Sequence, residues 1–107
     1  MNLNVVTLTG RLTADSELKE TQTGTQICNF RLAVNDRRKE DKTMFLNVVV
    51  FGRQAEVLAE HLTKGKLIGV TGRLDIDTYE KDGVKRDSVS VIANDIQLGP
   101  KNAAPAE

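Results

Sequence analysis

The sequence predicts an all-β domain with one short helix, folded as a closed, five-stranded Greek-key barrel with the helix between strands 3 and 4. Three observations carry this. Five separate runs have the length and make-up of strands, four of them alternating in period two and the third apolar on both sides. One stretch with helical spacing interrupts the series after the third run. Gly10 and Gly72 fall in the middle of strand patterns, where a strongly coiled barrel strand needs a residue that tolerates bending. The chain's 107 residues supply one modest core and not two.

The first strand is expected at 4–12, where Val6, Leu8, Gly10 and Leu12 alternate with Val5, Thr7, Thr9 and Arg11. A polar stretch with a turn at Gly24 leads to the second, 26–34, with Cys28, Phe30, Leu32 and Val34 opposite Ile27, Asn29, Arg31 and Ala33. The run NDRRKEDKT is too hydrophilic to pack and reads as an exposed loop. The third strand, MFLNVVVF at 44–51, is apolar on both sides. Met44, Leu46, Val48 and Val50 suit a barrel interior, so Phe45, Asn47, Val49 and Phe51 are expected outside, with a ligand to cover the rings.

Gly52 ends that strand, and Ala55, Leu58, Ala59 and Leu62 then form one helical stripe that Lys64 and Gly65 terminate. A long fourth strand from Leu67 is expected to turn Ile68, Val70, Gly72, Leu74 and Ile76 inward. Asp82-Gly83 marks a hairpin turn, and Ser88 to Leu98 returns as the fifth strand. The small-residue end GPKNAAPAE reads as disordered, so the expected division is a domain at 1–99 and a tail at 100–107.

Fifteen basic residues balance fifteen acidic ones, so a polyanionic partner can be argued only from where charge lies and not from its sum. The single cysteine, Cys28, excludes an internal disulfide and a cysteine zinc cluster, and fits a reducing compartment. The N-terminus has no basic leader followed by a long apolar run, and no window reaches the ~18 apolar residues of a membrane span. His61 lies off the helical stripe without a nucleophile or second histidine nearby in sequence, and Asp75-x-Asp77 lacks a third ligand. No glycine-rich phosphate cradle occurs. Neither enzymatic activity nor a catalytic residue, metal or cofactor is expected.

The element count and order match the OB-fold. The segments that fill it are MNLNVVTLTGRL with DSELKET, CNFRLAVN, FLNVVVFGRQAEVLAEHLTKGKLIGVTGRL, and YEKDGVKR before an alternating strand. Over residues 1 to about 98 they resemble the bacterial single-stranded DNA-binding proteins, whose G-R-L, F-x-L-A-V-N, V-x-x-[FW]-G-[KR]-x-A-E and L-x-K-G elements recur here in order. The resemblance implies a cytoplasmic, nucleoid-associated homotetramer that binds and protects single-stranded DNA without sequence preference during replication, recombination and repair. The mechanism is the one already described for such single-strand binders and comes with the resemblance: bases stack on aromatic rings, and cations meet the backbone.

Carried over residue by residue, the stacking positions are Phe45, where tryptophan is usual, Phe51 and Tyr79. Phe30 shares parity with Cys28 and Leu32 and belongs to the core. Arg53 matches the basic residue of the G-[KR] element; Arg11, Arg31, Arg73, Lys81, Lys85 and Arg86 fall on outward strand or hairpin positions suited to phosphates. The loop aromatic common in the family is absent from DRRKEDKT, where Arg37 or Arg38 can stack and neutralise in its stead. Asn47 stands where a basic residue would strengthen contact, and Asp75 and Asp77 repel phosphates; these departures imply weaker binding.

Those same departures motivate an alternative, an OB-fold protein-interaction module similar to primosome-type accessory proteins, with secondary nucleic-acid binding. A third reading is an RNA binder, since nothing in the sequence separates ribose from deoxyribose. Family members usually continue to an acidic tip that recruits repair and replication proteins; the sequence ends at AAPAE with no such tip in it, which fits either a trimmed chain or a short version that binds DNA without recruiting.

Overall fold

A computed structural model describes residues 1–35, 38 and 42–100. All five expected strands form, as β1 (Val6–Leu12), β3 (Gln26–Asn35), β4 (Thr43–Phe51), β5 (Leu67–Lys81) and β6 (Val84–Leu98). A sixth, β2 (Glu17–Glu20), arises in the stretch read as polar and pairs with β3 through Leu18↔Cys28. Short and charged, β2 has the make-up of an edge strand that resists pairing with other chains. Helix α1 (Arg53–Leu58) continues into a 3₁₀ turn, Ala59–His61, and lies between β4 and β5. Gly52, at φ 80°, turns the chain from β4 into α1.

Five strands close on themselves. Antiparallel pairing joins β1 to β5, β5 to β6, β4 to β3 and β3 back to β1 at Arg11↔Ala33, while β6 meets β4 in parallel at Asn47↔Ser90 and Val49↔Ile92. This is the OB-fold barrel. Its interior is filled by Phe30 and Leu32 from β3, Val48 and Val50 from β4, Ile68 and Val70 from β5 and Val91 from β6, and α1 plugs one end with Ala55 while Leu62 follows the turn. Cys28 is fully buried among them as a free thiol.

Gly10 and Gly72 are both buried at places where backbones nearly touch. A Cβ on Gly10 would overlap the Ala33 carbonyl oxygen, and one on Gly72 would overlap that of Ile92. Gly10 lies where β1 passes from β5 towards β3, and Gly72 at the register shift where β5 and β6 leave the barrel wall. The two Thr-Gly-Arg-Leu tetrapeptides therefore answer one geometric demand, close passage of another strand.

Three inward assignments need correction. Leu74 and Ile76 are 39% and 53% exposed, because beyond Gly72 the β5–β6 pair continues as a two-stranded ribbon with no layer behind it. Met44 is 41% exposed, since β6 meets β4 at residues 47–49 and the start of β4 projects past that seam, whereas Leu46 is partly buried and packs against the core. Strand β6 also begins at Val84, ahead of the expected Ser88, and pairs Val84 with Lys81 around the two-residue turn Asp82-Gly83. Both turn residues have positive φ, 55° and 78°, the requirement of a tight hairpin. No helix of the described residues is long and apolar enough to cross a membrane.

Candidate nucleic-acid interface

Register decides which side chains share the outer face. With Cys28↔Val50 and Phe30↔Val48 in the core, the partners of opposite parity, Ile27↔Phe51, Asn29↔Val49, Arg31↔Asn47 and Ala33↔Phe45, project outward. Phe45 and Phe51 are 52% and 46% exposed, six residues apart on one strand and hence ~20 Å apart along it. Phe30, of the other parity, is buried.

The face continues across the parallel seam. Asn47 and Val49 neighbour Ser90 and Ile92 of β6, which lead by register to Asp75 and Arg73 of β5; further along the ribbon, Ser88↔Asp77 and Arg86↔Tyr79 keep the same parity. One curved surface thus carries Phe45, Phe51, Arg31, Arg73, Arg86 and a half-exposed Tyr79. Asp75 and Asp77 lie between Arg73 and Tyr79 on it.

Other expected cations are distributed unevenly. Arg53 is exposed at the first residue of α1, directly after the Phe51–Gly52 turn. Arg11 is on β1 opposite Ala33, and its Nη1 donates to the Gly65 carbonyl at 3.1 Å, which draws the guanidinium towards the loop after the helix. Lys81 has the parity of Tyr79, whereas Lys85 pairs with Glu80 on the reverse face of the ribbon, apart from the rings. Arg38 is exposed in a turn, and Arg37 lies outside the described residues. His61 is exposed with its Nε2 3.6 Å from a Glu60 carboxylate oxygen.

Hollows among the described residues mark the face. A larger one, about 520 Å³, has Asn29, Arg31, Asn47, Ser88 and Ser90 around it and Asp15 and Glu17 on one wall. The Asp15 carboxylate already accepts the Lys64 amide at 2.8 Å, which ties that wall to the end of the helical segment. A smaller one, about 310 Å³, lies among Thr13, Arg31 and Phe45. Asn29 was findable from strand parity, but Thr13, Ser88 and Ser90 carry no local signal; the serines reach the site only through the β4–β6 register.

The ribbon's reverse face is apolar and uncovered, with Leu74, Ile76 and Val89 exposed. Asn4 fastens the N-terminal segment beside it: its side-chain amide donates to the Leu74 carbonyl at 2.9 Å and its Oδ1 accepts the Leu74 amide at 2.8 Å. Leu3 and Val5, flanking Asn4, are exposed as well.

A single-strand binding protein family model matches residues 3–99. The chain is 46% identical over 101 residues to a single-stranded DNA-binding protein of Clostridium tetani, covering 90% of this chain and 70% of that one. Against single-stranded DNA-binding protein 1 of Staphylococcus aureus Mu50 the identity is 45% over 107 residues, covering 94% and 69%. Against the single-stranded DNA-binding protein of Treponema pallidum it is 40% over 102 residues, and there the chain spans only 58% of its relative's length. A closed barrel with outward rings and a family match across nearly its whole length lead to one assignment: the chain belongs to the single-strand binding protein family.

Proposed function

We infer that this protein binds single-stranded DNA without sequence preference through a domain at residues 1–99, and thereby protects exposed strands in replication, recombination and repair. Bases stack on Phe45, Phe51 and Tyr79, while Arg31, Arg53, Arg73, Lys81 and Arg86 meet phosphates, with Arg11 and Arg38 at the margin. The carrying observation is the pair of half-exposed phenyl rings on one strand of a face that also displays arginines. Exposed rings are costly unless something covers them, and every base offers a flat π-face worth ~1–3 kcal/mol per stack. Such a surface binds and does not transform its ligand, and its work lies at the bacterial chromosome in the cytoplasm.

Fluorescence anisotropy with labelled oligo-dT tests the reading. Oligo-dT is expected to bind far better than duplex of equal length, with log affinity falling against log salt by ~0.7 per phosphate neutralised. Equal affinity for duplex would sink the proposal, and oligo-U competition separates DNA from RNA. A primosome-type interaction module is not favoured; were it correct, oligo-dT binding would survive Phe45→Ala combined with Tyr79→Ala.

The uncovered apolar face of Leu74, Ile76 and Val89, with Leu3 and Val5 beside it, supports assembly with further copies of the chain into a homotetramer. Light scattering with and without oligo-dT reads the mass directly; a monomer at micromolar concentration would refute it.

A further inference from the structure

The Phe45 ring does not stand alone. Its cross-strand partner is Ala33, whose methyl group leaves the space beside the ring open. Two residues along β3, Arg31 reaches diagonally into that space, and its guanidinium carbon lies over the ring, 5.1 Å from the centroid. This guanidinium has no carboxylate or carbonyl partner among the described residues. Phe45 nonetheless keeps 52% of its surface open, so one side of the ring is seated against the cation and the rest remains available. Arg31 also borders both hollows, standing between the ring and the polar group of Asn29, Asn47, Ser88 and Ser90. Directly across from it on β4 is the uncharged Asn47.

We propose that Arg31 and Phe45 act as one recognition unit: a base stacks on the open face of Phe45 while the guanidinium, seated on the other side, binds the adjoining phosphate. A guanidinium carbon held over a ring at this distance leaves N–H donors directed away from the ring, so the ring contact and a phosphate contact do not compete. The ring holds the cation in place before DNA arrives, and the cation holds the ring upright. Charge absent from Asn47 is thus delivered to the same spot from the neighbouring strand. A lysine cannot do both, because its ammonium is a compact point charge without a plane to stack.

The inference rests on the reading that this face binds single-stranded DNA, and its test is a double-mutant cycle on oligo-dT affinity with Arg31→Gln, Phe45→Ala and the pair. Arg31→Gln is expected to weaken binding about tenfold in the otherwise unchanged protein but only about threefold when Phe45 is already alanine. The salt slope falls by ~0.7 in Arg31→Gln and is kept in Arg31→Lys, which nevertheless loses the coupling to Phe45. Both side chains are exposed, and unchanged circular dichroism melts verify that the variants fold. Equal losses from Arg31→Gln in the two backgrounds, or an unchanged salt slope, overturn the unit. Failure of the underlying reading looks different, because the unmutated protein would then fail to prefer oligo-dT over duplex.

Discussion

Replacing Phe51 with alanine isolates stacking from every other contribution. A phenylalanine side chain offers ~200 Å² of surface, and Phe51 leaves 46% of its own open, so a base has ~90 Å² to cover. At ~25 cal/mol per Å², covering between half and all of that area contributes ~1–2 kcal/mol, within the range found for base–aromatic stacks. Phe51→Ala is therefore expected to raise the oligo-dT dissociation constant about 5- to 30-fold. The charge is unchanged, so the salt slope should stay as it was. Folding feels only the buried half of the ring, a loss of about 2–3 kcal/mol, visible as a drop in melting temperature. Phe51→Leu serves as a partner variant, retaining much of the apolar area without the π-face. If anisotropy shows unchanged affinity for a folded Phe51→Ala protein, the outer ring at this position does not hold a base.

Gly72→Ala sets a Cβ against the Ile92 carbonyl oxygen and is expected to cost about 1–3 kcal/mol or more, read as a lowered thermal midpoint; Gly10→Ala should behave alike against Ala33. Asn4→Ala removes both hydrogen bonds to Leu74, and faster amide exchange at Leu74 should report the loss. Ile76→Asp places a charge on the ribbon's apolar reverse face and is expected to lower the assembled mass in light scattering, while melts confirm an intact barrel. Asp75→Asn with Asp77→Asn removes like charge from between Arg73 and Tyr79, and should tighten oligo-dT binding about two- to fivefold at low salt, an effect that fades as salt screens it.

The barrel was legible in the sequence because parity is a strong signal wherever one face is buried. Cys28, Phe30, Leu32 and Val34 declare one side of β3 without any partner being known, and the same logic put Phe45 and Phe51 together. Parity says which residues share a face, but not how far a wall extends. Leu74 and Ile76 have the periodicity of Val70 and still leave the core, since the bulge at Thr71/Gly72 carries the strand past the barrel's end. Strand β2 has no signature in the sequence because ELKE does not alternate and is exposed on both sides; it exists through its pairing with the backbone of β3. The nearness of Arg31 to Phe45 depends on the register of two strands, and that of Ser90 to Asn47 on a seam between distant segments. No local pattern encodes either.

That seam has a consequence for how the molecule comes into being. β4 and β6 run parallel, so no hairpin can join them, and β1 must find β5 across more than half the chain. Contacts so far apart in sequence are slow to form, because the loop's lost freedom precedes the reward of pairing. During synthesis the grip on a nucleic acid would arrive late, after residue 92 has emerged and the ring has shut, making ligand capture itself a report that the chain has finished folding.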